Sequence, residues 1–184
     1  RLGLDVFLGL DVAANGFHKS GVYHIKDSPK PLDRDGMTQL YLSLVKDYGL
    51  LSLEDPLDHD DWKGWTELTR VIPESTMVIG DDLITTNAAR LKQAIEQKAC
   101  SAVIVKPNQI GTITETIALL KVAQDNNITT ISSHRSGETN DTFIADFAVG
   151  LGTNYAKFGA PDRGERVAKY NRLLEIDSYL STQK

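Results

Sequence analysis

Six polar residues of this chain share one kind of position. Asp11, Glu54, Asp81, Lys106, His134 and Lys157 each stand at or just after the end of a short apolar run, the runs falling at 6–11, 50–53, 77–79, 102–105, 129–132 and 155–157. Three carboxylates, Asp11, Glu54 and Asp81, end three successive runs of this set. Hard oxygen ligands of this kind suit Mg²⁺, which keeps several waters and is commonly held by a few carboxylates plus substrate. Each acid alone would serve equally well as the cap of a following helix. Three brought to one edge repel each other and call for a cation.

The remaining polar residues carry the opposite charge. Lys106 directly follows Ala102, Val103, Ile104 and Val105, so it emerges from an apolar element. A neighbouring cation such as Lys157 or a metal disfavours the ammonium form of a lysine and frees its amine to act as a general base. Arg135 and Ser136 offer a fork of donors and a hydroxyl, which suits a phosphate, and Gly137 lets backbone approach closely. His134 stands beside them, either as a ligand-binding group or as a packed histidine that holds the loop. A base acting with a divalent metal fits removal of a proton next to a carboxylate. That proton is very weakly acidic, and the resulting carbanion needs the electrostatic stabilisation that a metal on the carboxylate oxygens supplies.

The elements that must position these residues alternate regularly. Between the apolar runs lie helical patterns: Met37, Leu40, Tyr41, Leu44, Val45 and Tyr48; then Trp62, Trp65, Leu68 and Ile72; then Leu91, Ala94 and Ile95. Ile113, Ile117, Leu120 and Ala123 follow, then Phe143, Ile144 and Phe147, and finally Val167, Tyr170, Leu174 and Ile176. Apolar residues three and four apart mark one face of a helix. Six strands alternating with six helices predict an α/β fold with a parallel sheet and crossover helices. In an α/β barrel the C-terminal ends of the strands are the catalytic face. A doubly wound open sheet also binds at strand C-termini, but at one switch point and with a glycine-rich fingerprint. No G-x-G-x-x-G follows the first run, so the expected architecture is a TIM-type (β/α) barrel with six of eight βα units present.

Composition agrees. The 184 residues are 41% hydrophobic and 24% charged, with a formal net charge of −5, enough apolar material for a sizeable core and too much for a disordered tail. No apolar run approaches the roughly 20 residues that span a bilayer. With 20 basic residues against 25 acidic ones, nucleic acid is not an expected partner. A single cysteine, Cys100, forms no internal disulfide, and no signal-peptide pattern is seen, which agrees with a cytoplasmic protein. The first residue is Arg1 rather than Met.

The chain resembles the C-terminal barrel portion of enolase. The resemblance rests on Gly9-Leu10-Asp11-Val12-Ala13-Ala14, Leu53-Glu54-Asp55-Pro56, Gly80-Asp81-Asp82-Leu83 and Lys106-Pro107-Asn108-Gln109-Ile110-Gly111. It continues through Ser133-His134-Arg135-Ser136-Gly137-Glu138-Thr139, Lys157-Phe158-Gly159-Ala160-Pro161 and Arg166-Val167-Ala168-Lys169-Tyr170-Asn171. The resemblance implies a lyase, phosphopyruvate hydratase, catalysing Mg²⁺-dependent reversible dehydration of 2-phosphoglycerate to phosphoenolpyruvate in glycolysis and gluconeogenesis. It further implies that Asp11, Glu54 and Asp81 hold a Mg²⁺, with Glu54 and Asp81 also near substrate. Lys106 would take the proton from C2, Lys157 would help hold the substrate carboxylate, and Arg135 and Ser136 would grip the phosphate with His134 beside them. A lysine or histidine base acting with one or two Mg²⁺ ions is the documented pattern of the enolase superfamily and not a prediction of ours. A second Mg²⁺ and a homo-oligomer, dimer or octamer, are further implications, as are occasional surface or secreted forms.

Two departures stand out. Where enolases usually carry Lys-Thr-Gly, this chain has Lys157-Phe158-Gly159. The N-terminal domain, the first barrel units and the glutamate that serves the family as general acid are expected to lie outside residues 1–184. Six barrel strands alone leave open edges and apolar surface, so the expectation is a fragment that by itself is poorly stable, binds Mg²⁺ weakly and is close to inactive. Two other readings compete. A racemase or sugar-acid dehydratase of the same superfamily would share the metal and the lysine but has no phosphate for Arg135 and Ser136 to bind. A non-catalytic interaction fragment would not need these polar groups, and the chain ends in the single Lys184 without a Lys-Lys pair.

Overall fold

The computed structural model describes residues 1–26 and 28–183; Lys184 lies outside them. The chain divides into two compact units, residues 1–103 and 104–184.

In the first unit, β1 (Gly9–Asp11) pairs in parallel with β4 (Ser52–Glu54), and β4 pairs in parallel with β5 (Met77–Gly80). The next strand, β6 (Ala102–Val105), straddles the unit boundary. Its first half pairs with β5 through Ile79 with Ala102 and Gly80 with Val103. Between β1 and β4 come a single 3₁₀ turn over Ala14–Phe17, a small antiparallel hairpin of β2 (His18–Lys19) and β3 (Val22–Tyr23), and helix α1 (Arg34–Tyr48). Helix α2 (Trp62–Val71) joins β4 to β5, and α3 (Ala88–Gln97) joins β5 to β6. Parallel neighbours joined by helices are what the alternation of periodicities demands, because a parallel return needs a crossover.

Local chemistry sets the helix ends. Asp33 accepts from the Gly36 N–H at 2.8 Å at the start of α1, and Gly49 ends that helix at a φ of 60°, a left-handed conformation that costs glycine nothing. Asn87 accepts from the N–H groups of Ala89 and Arg90 at the start of α3. Asp61 does double service at the start of α2: it accepts from the Gly64 N–H at 3.0 Å and from two guanidinium nitrogens of Arg34, at 2.7 and 2.6 Å. A Cβ at position 64 would stand 2.3 Å from the Asp61 carboxylate, which is why glycine sits there. The core of this unit is built from Met37, Tyr41, Leu53, Trp65, Leu68 and Leu91, all fully buried or nearly so. Each such side chain contributes about 1.5–3 kcal/mol through removal of apolar surface from water.

The second unit holds the rest of β6, the one-turn helix α4 (Pro107–Ile110), α5 (Ile113–Asp125), β7 (Thr129–Ser133), α6 (Phe143–Gly150), β8 (Tyr155–Lys157) and α7 (Gly164–Thr182). Strands β7 and β8 are parallel, with Ile131 opposite Tyr155 and Ser133 opposite Lys157. Thr112 and Glu115 form the side-chain pair that starts α5.

Several sequence expectations need correction. The first strand is Gly9–Asp11, not 6–11; Val6 pairs with Leu2 in an isolated bridge instead. The β2–β3 hairpin and α4 are elements that periodicity did not show, being too short for a repeat to register. Ile113 and Ile117 are exposed on α5, and its buried face is Thr116, Leu119, Leu120 and Ala123. Tyr48 and Leu174 are exposed as well, Leu174 by 68%. On α7 the buried residue is a lysine, Lys169. Periodicity identifies a helix; it does not say which of two candidate faces the neighbouring elements cover. Among the described residues no helix is long and apolar enough to cross a membrane.

Candidate active site

In the first unit the carboxylates expected from the sequence fall where parallel strands end. Asp11 is the last residue of β1 and is exposed; its register partner across the strand pair is Glu54, the last residue of β4, only 5% exposed. Asp81 follows β5 directly and is 8% exposed.

The neighbouring acids, not singled out by sequence, prove to be part of the same geometry. The Asp55 carboxylate accepts from the backbone N–H of Asp81 at 3.0 Å and of Asp82 at 2.9 Å, so it fixes the turn that follows β5. Asp55 is itself held at a φ of 44°, an unfavourable conformation for a residue with a Cβ. Burial, reinforced by the charges of Asp81 and Asp82 and opposed by the two N–H donors, pushes its carboxyl up to about 6. Asp82 in turn accepts from the Asn15 side-chain amide at 3.1 Å, and the Asn15 Oδ1 accepts from the His59 backbone N–H at 2.9 Å. Ligand oxygens of Asp55, Asp81 and Asp82 lie within 4.8 Å of one another. The doublets Glu54-Asp55 and Asp81-Asp82 were the available signal: in each, two acids follow one another where a strand ends, Asp55 and both Asp81 and Asp82 standing just past β4 and β5. A hard divalent cation fits this chemistry, since the donors are all oxygen and two of the three acids are buried with like charge close by.

In the second unit Lys106 directly follows β6 and stands at the N-cap position of α4, half-buried, with its carbonyl accepting from the Gln109 N–H at 2.9 Å. Lys157 ends β8 and is half-buried, opposite Ser133 at the end of β7. The Ser133 hydroxyl spans both strand ends, 2.9 Å from the His134 carbonyl and 3.2 Å from the Lys157 carbonyl. His134, Arg135 and Ser136 follow in the loop between β7 and α6. Arg135 and Ser136 are exposed, and His134 is half-buried with its Nδ1 shielded from solvent. Burial holds the His134 imidazole below its ordinary value, with Lys169, Arg166 and Lys106 acting in the same direction and Glu138 against it. A cleft of about 240 Å³ opens here, lined among others by Pro107, Asn108, Ser133, His134, Arg135 and Glu138. It sets the Arg135 guanidinium and the His134 imidazole beside the carboxylates of Glu138 and Asp141, and the guanidinium is the group there that suits an anion.

The loop is supported from behind. Phe158, the departure noted in the sequence, is fully buried with its ring centroid 6.2 Å from that of His134 and 6.1 Å from that of Tyr170. The Tyr170 hydroxyl donates to the Gly159 carbonyl. Gly159 has a φ of 77°, and a Cβ there would stand 2.7 Å from the Arg166 side chain.

Parallel βα units with acids, amines and a guanidinium at the strand C-terminal ends define the class of barrel proteins that carry their chemistry on that face. Comparison with known proteins narrows the class. Residues 2–184 match the family model described as enolase, C-terminal TIM barrel domain. The chain is 45% identical over 181 residues to Enolase 1 of Methanospirillum hungatei, covering 98% of this chain and 42% of that protein. It is 50% identical over 182 residues to the enolase of Metallosphaera sedula (97% and 43%) and 46% identical over 173 residues to that of Nitratiruptor sp. (94% and 41%). The chain belongs to the enolase family and spans a little over two fifths of the length of these relatives.

Proposed function

We propose that the protein carrying this chain is an enolase in activity as well as in family: a lyase that dehydrates 2-phosphoglycerate reversibly to phosphoenolpyruvate. One observation carries the reading. The family match runs over residues 2–184, and within it Asp11, Glu54, Asp81, Lys106, His134 and Lys157 all stand at or just after the C-terminal end of a strand.

Asp11, Glu54 and Asp81 would hold Mg²⁺; Asp11 and Glu54 being register partners at the ends of β1 and β4, with Asp81 directly after β5, supports that. Bound there, the ion would supply electrostatic stabilisation of charge developing on the substrate carboxylate. Lys106, as the neutral amine, takes the proton from C2. The electron pair left behind forms the C2–C3 double bond as the C3 hydroxyl departs as water, its proton coming from the general-acid glutamate that the resemblance puts outside residues 1–184. Lys157 holds the substrate carboxylate in the orientation that acidifies the C2 proton. Arg135 grips the phosphate as a planar fork and Ser136 adds a hydroxyl donor, with His134 flanking them. The fork is what separates this reading from a racemase or sugar-acid dehydratase, whose substrates carry no phosphate. A glycolytic, cytoplasmic enzyme that works as a homo-oligomer goes with the same reading.

The test is turnover of 2-phosphoglycerate by the full-length protein with Mg²⁺, with the metal chelated, and with Arg135→Ala. The proposal expects turnover that stops on chelation and a KM raised at least tenfold by the substitution. Turnover of phosphate-free sugar acids instead would overturn it.

A further inference from the structure

Lys169 is a charged residue that the proposed reaction does not use. It is wholly buried, and it is the buried residue of α7. Its ammonium lies 2.8 Å from the Glu138 carboxylate and donates to the Thr139 carbonyl at 2.9 Å and the Glu165 carbonyl at 2.7 Å. An ammonium has three donors, and all three are spent. Two of the acceptors belong to one loop, the segment between β7 and α6 that carries His134, Arg135 and Ser136.

That loop has no regular structure of its own and exposes Arg135, Ser136 and Gly137. At its beginning it is tied to strand ends by the Ser133 hydroxyl and by the His134 N–H, which donates to the Lys157 carbonyl at 3.4 Å. At its far side it is tied to Lys169 through Glu138 and the Thr139 carbonyl. Phe158 fills the space between the two, packed against His134 on one side and Tyr170, the residue after Lys169, on the other.

We propose that Lys169 is a positioning residue: through Glu138 and the Thr139 carbonyl it locks the 134–139 loop onto α7 and so sets the placement of Arg135 and Ser136 for a phosphorylated substrate. The phosphate part of this inference rests on the function proposed above; the locking part does not. A buried ammonium whose acceptors are all in place resists their displacement, because losing one leaves a desolvated charge short of a partner. Lys169→Met keeps the stem and removes the three donors. Glu138→Gln keeps the shape of the partner and removes its charge.

The experiment uses the full-length protein and reads two quantities. Hydrogen exchange at the amides of 134–140 is compared between the wild type, Lys169→Met, Glu138→Gln, the double variant, and a control, Leu173→Ala, at a half-buried position of α7 that lines a surface hollow with Ala148 and Val149 of α6. KM and kcat for 2-phosphoglycerate are measured on the same set. We expect exchange in the loop to rise at least tenfold in both single variants, and KM to rise at least tenfold with kcat within threefold of wild type. The double variant adds little to either single one, and Leu173→Ala lowers thermal stability without raising KM. Loop exchange within twofold of wild type in Lys169→Met overturns the proposal, and so does a KM that rises equally in Leu173→Ala. If the wild type does not turn over 2-phosphoglycerate, the reading of function fails, and loop exchange alone decides the locking role.

Discussion

Phe158 offers the sharpest test of how this chain supports its loop. The side chain is fully buried, and its ring meets those of His134 and Tyr170 at centroid distances of 6.2 and 6.1 Å. Truncation to alanine loses the transfer energy of the ring and leaves a cavity behind, together about 3–5 kcal/mol. Of this, about 0.5–1.5 kcal/mol belongs to each ring–ring contact. Phe158→Leu keeps most of the volume but loses both ring contacts, so it should cost about 1–3 kcal/mol, less than the alanine variant. Phe158→Thr, the residue that the usual Lys-Thr-Gly pattern leads one to expect, falls near the alanine end, because it loses the ring and places a hydroxyl where an aromatic face was. The check is denaturant unfolding of the three variants beside wild type, reading the shift in midpoint at constant m. Alanine or threonine variants within about 1 kcal/mol of wild type would refute the reasoning, since the ring would then contribute little to the loop it packs under.

Further outcomes follow from the same geometry. Asp81→Asn should weaken Mg²⁺ binding at least tenfold by calorimetry, because Asp81 belongs both to the expected ligand set and to the cluster with Asp55 and Asp82; unchanged affinity would remove it from the site. His134 should titrate below its ordinary value of 6.5, because burial disfavours the imidazolium. The native state then binds fewer protons than the unfolded chain, so this contribution to stability is present above pH 6.5 and lost as pH falls through the folded value; ring resonances followed by NMR report the midpoint, and one at or above 6.5 contradicts it. Asp61→Ala should cost about 2–4 kcal/mol in unfolding experiments, through the lost cap of α2 and the lost fork contact with Arg34.

Much of this architecture was legible because period and position are local. Alternation of apolar runs with 3.6-residue patterns gave the parallel pairing of β1, β4 and β5 and of β7 with β8, and it put Glu54, Asp81, Lys106 and His134 at strand ends, where they stand. What was not legible depends on tertiary contact. Asp55 looked like one more acid in a row, and only the folded chain reveals it as the acceptor for two N–H groups of the next turn. Lys169 stood in the sequence only as part of the stretch from Arg166 to Asn171; its burial goes with acceptors about thirty residues away, the Thr139 carbonyl and the Glu138 carboxylate. Phe158 read as an oddity beside Lys157, and its role depends on rings contributed by two other segments.

The most direct test of the account is the Lys106→Ala substitution in the full-length protein with saturating Mg²⁺. If Lys106 takes the C2 proton, kcat for 2-phosphoglycerate falls by about 10²–10⁴-fold, exchange of the C2 proton with solvent deuterium is lost, and substrate affinity changes little. Exchange and turnover within tenfold of wild type would contradict the central claim and place the base elsewhere.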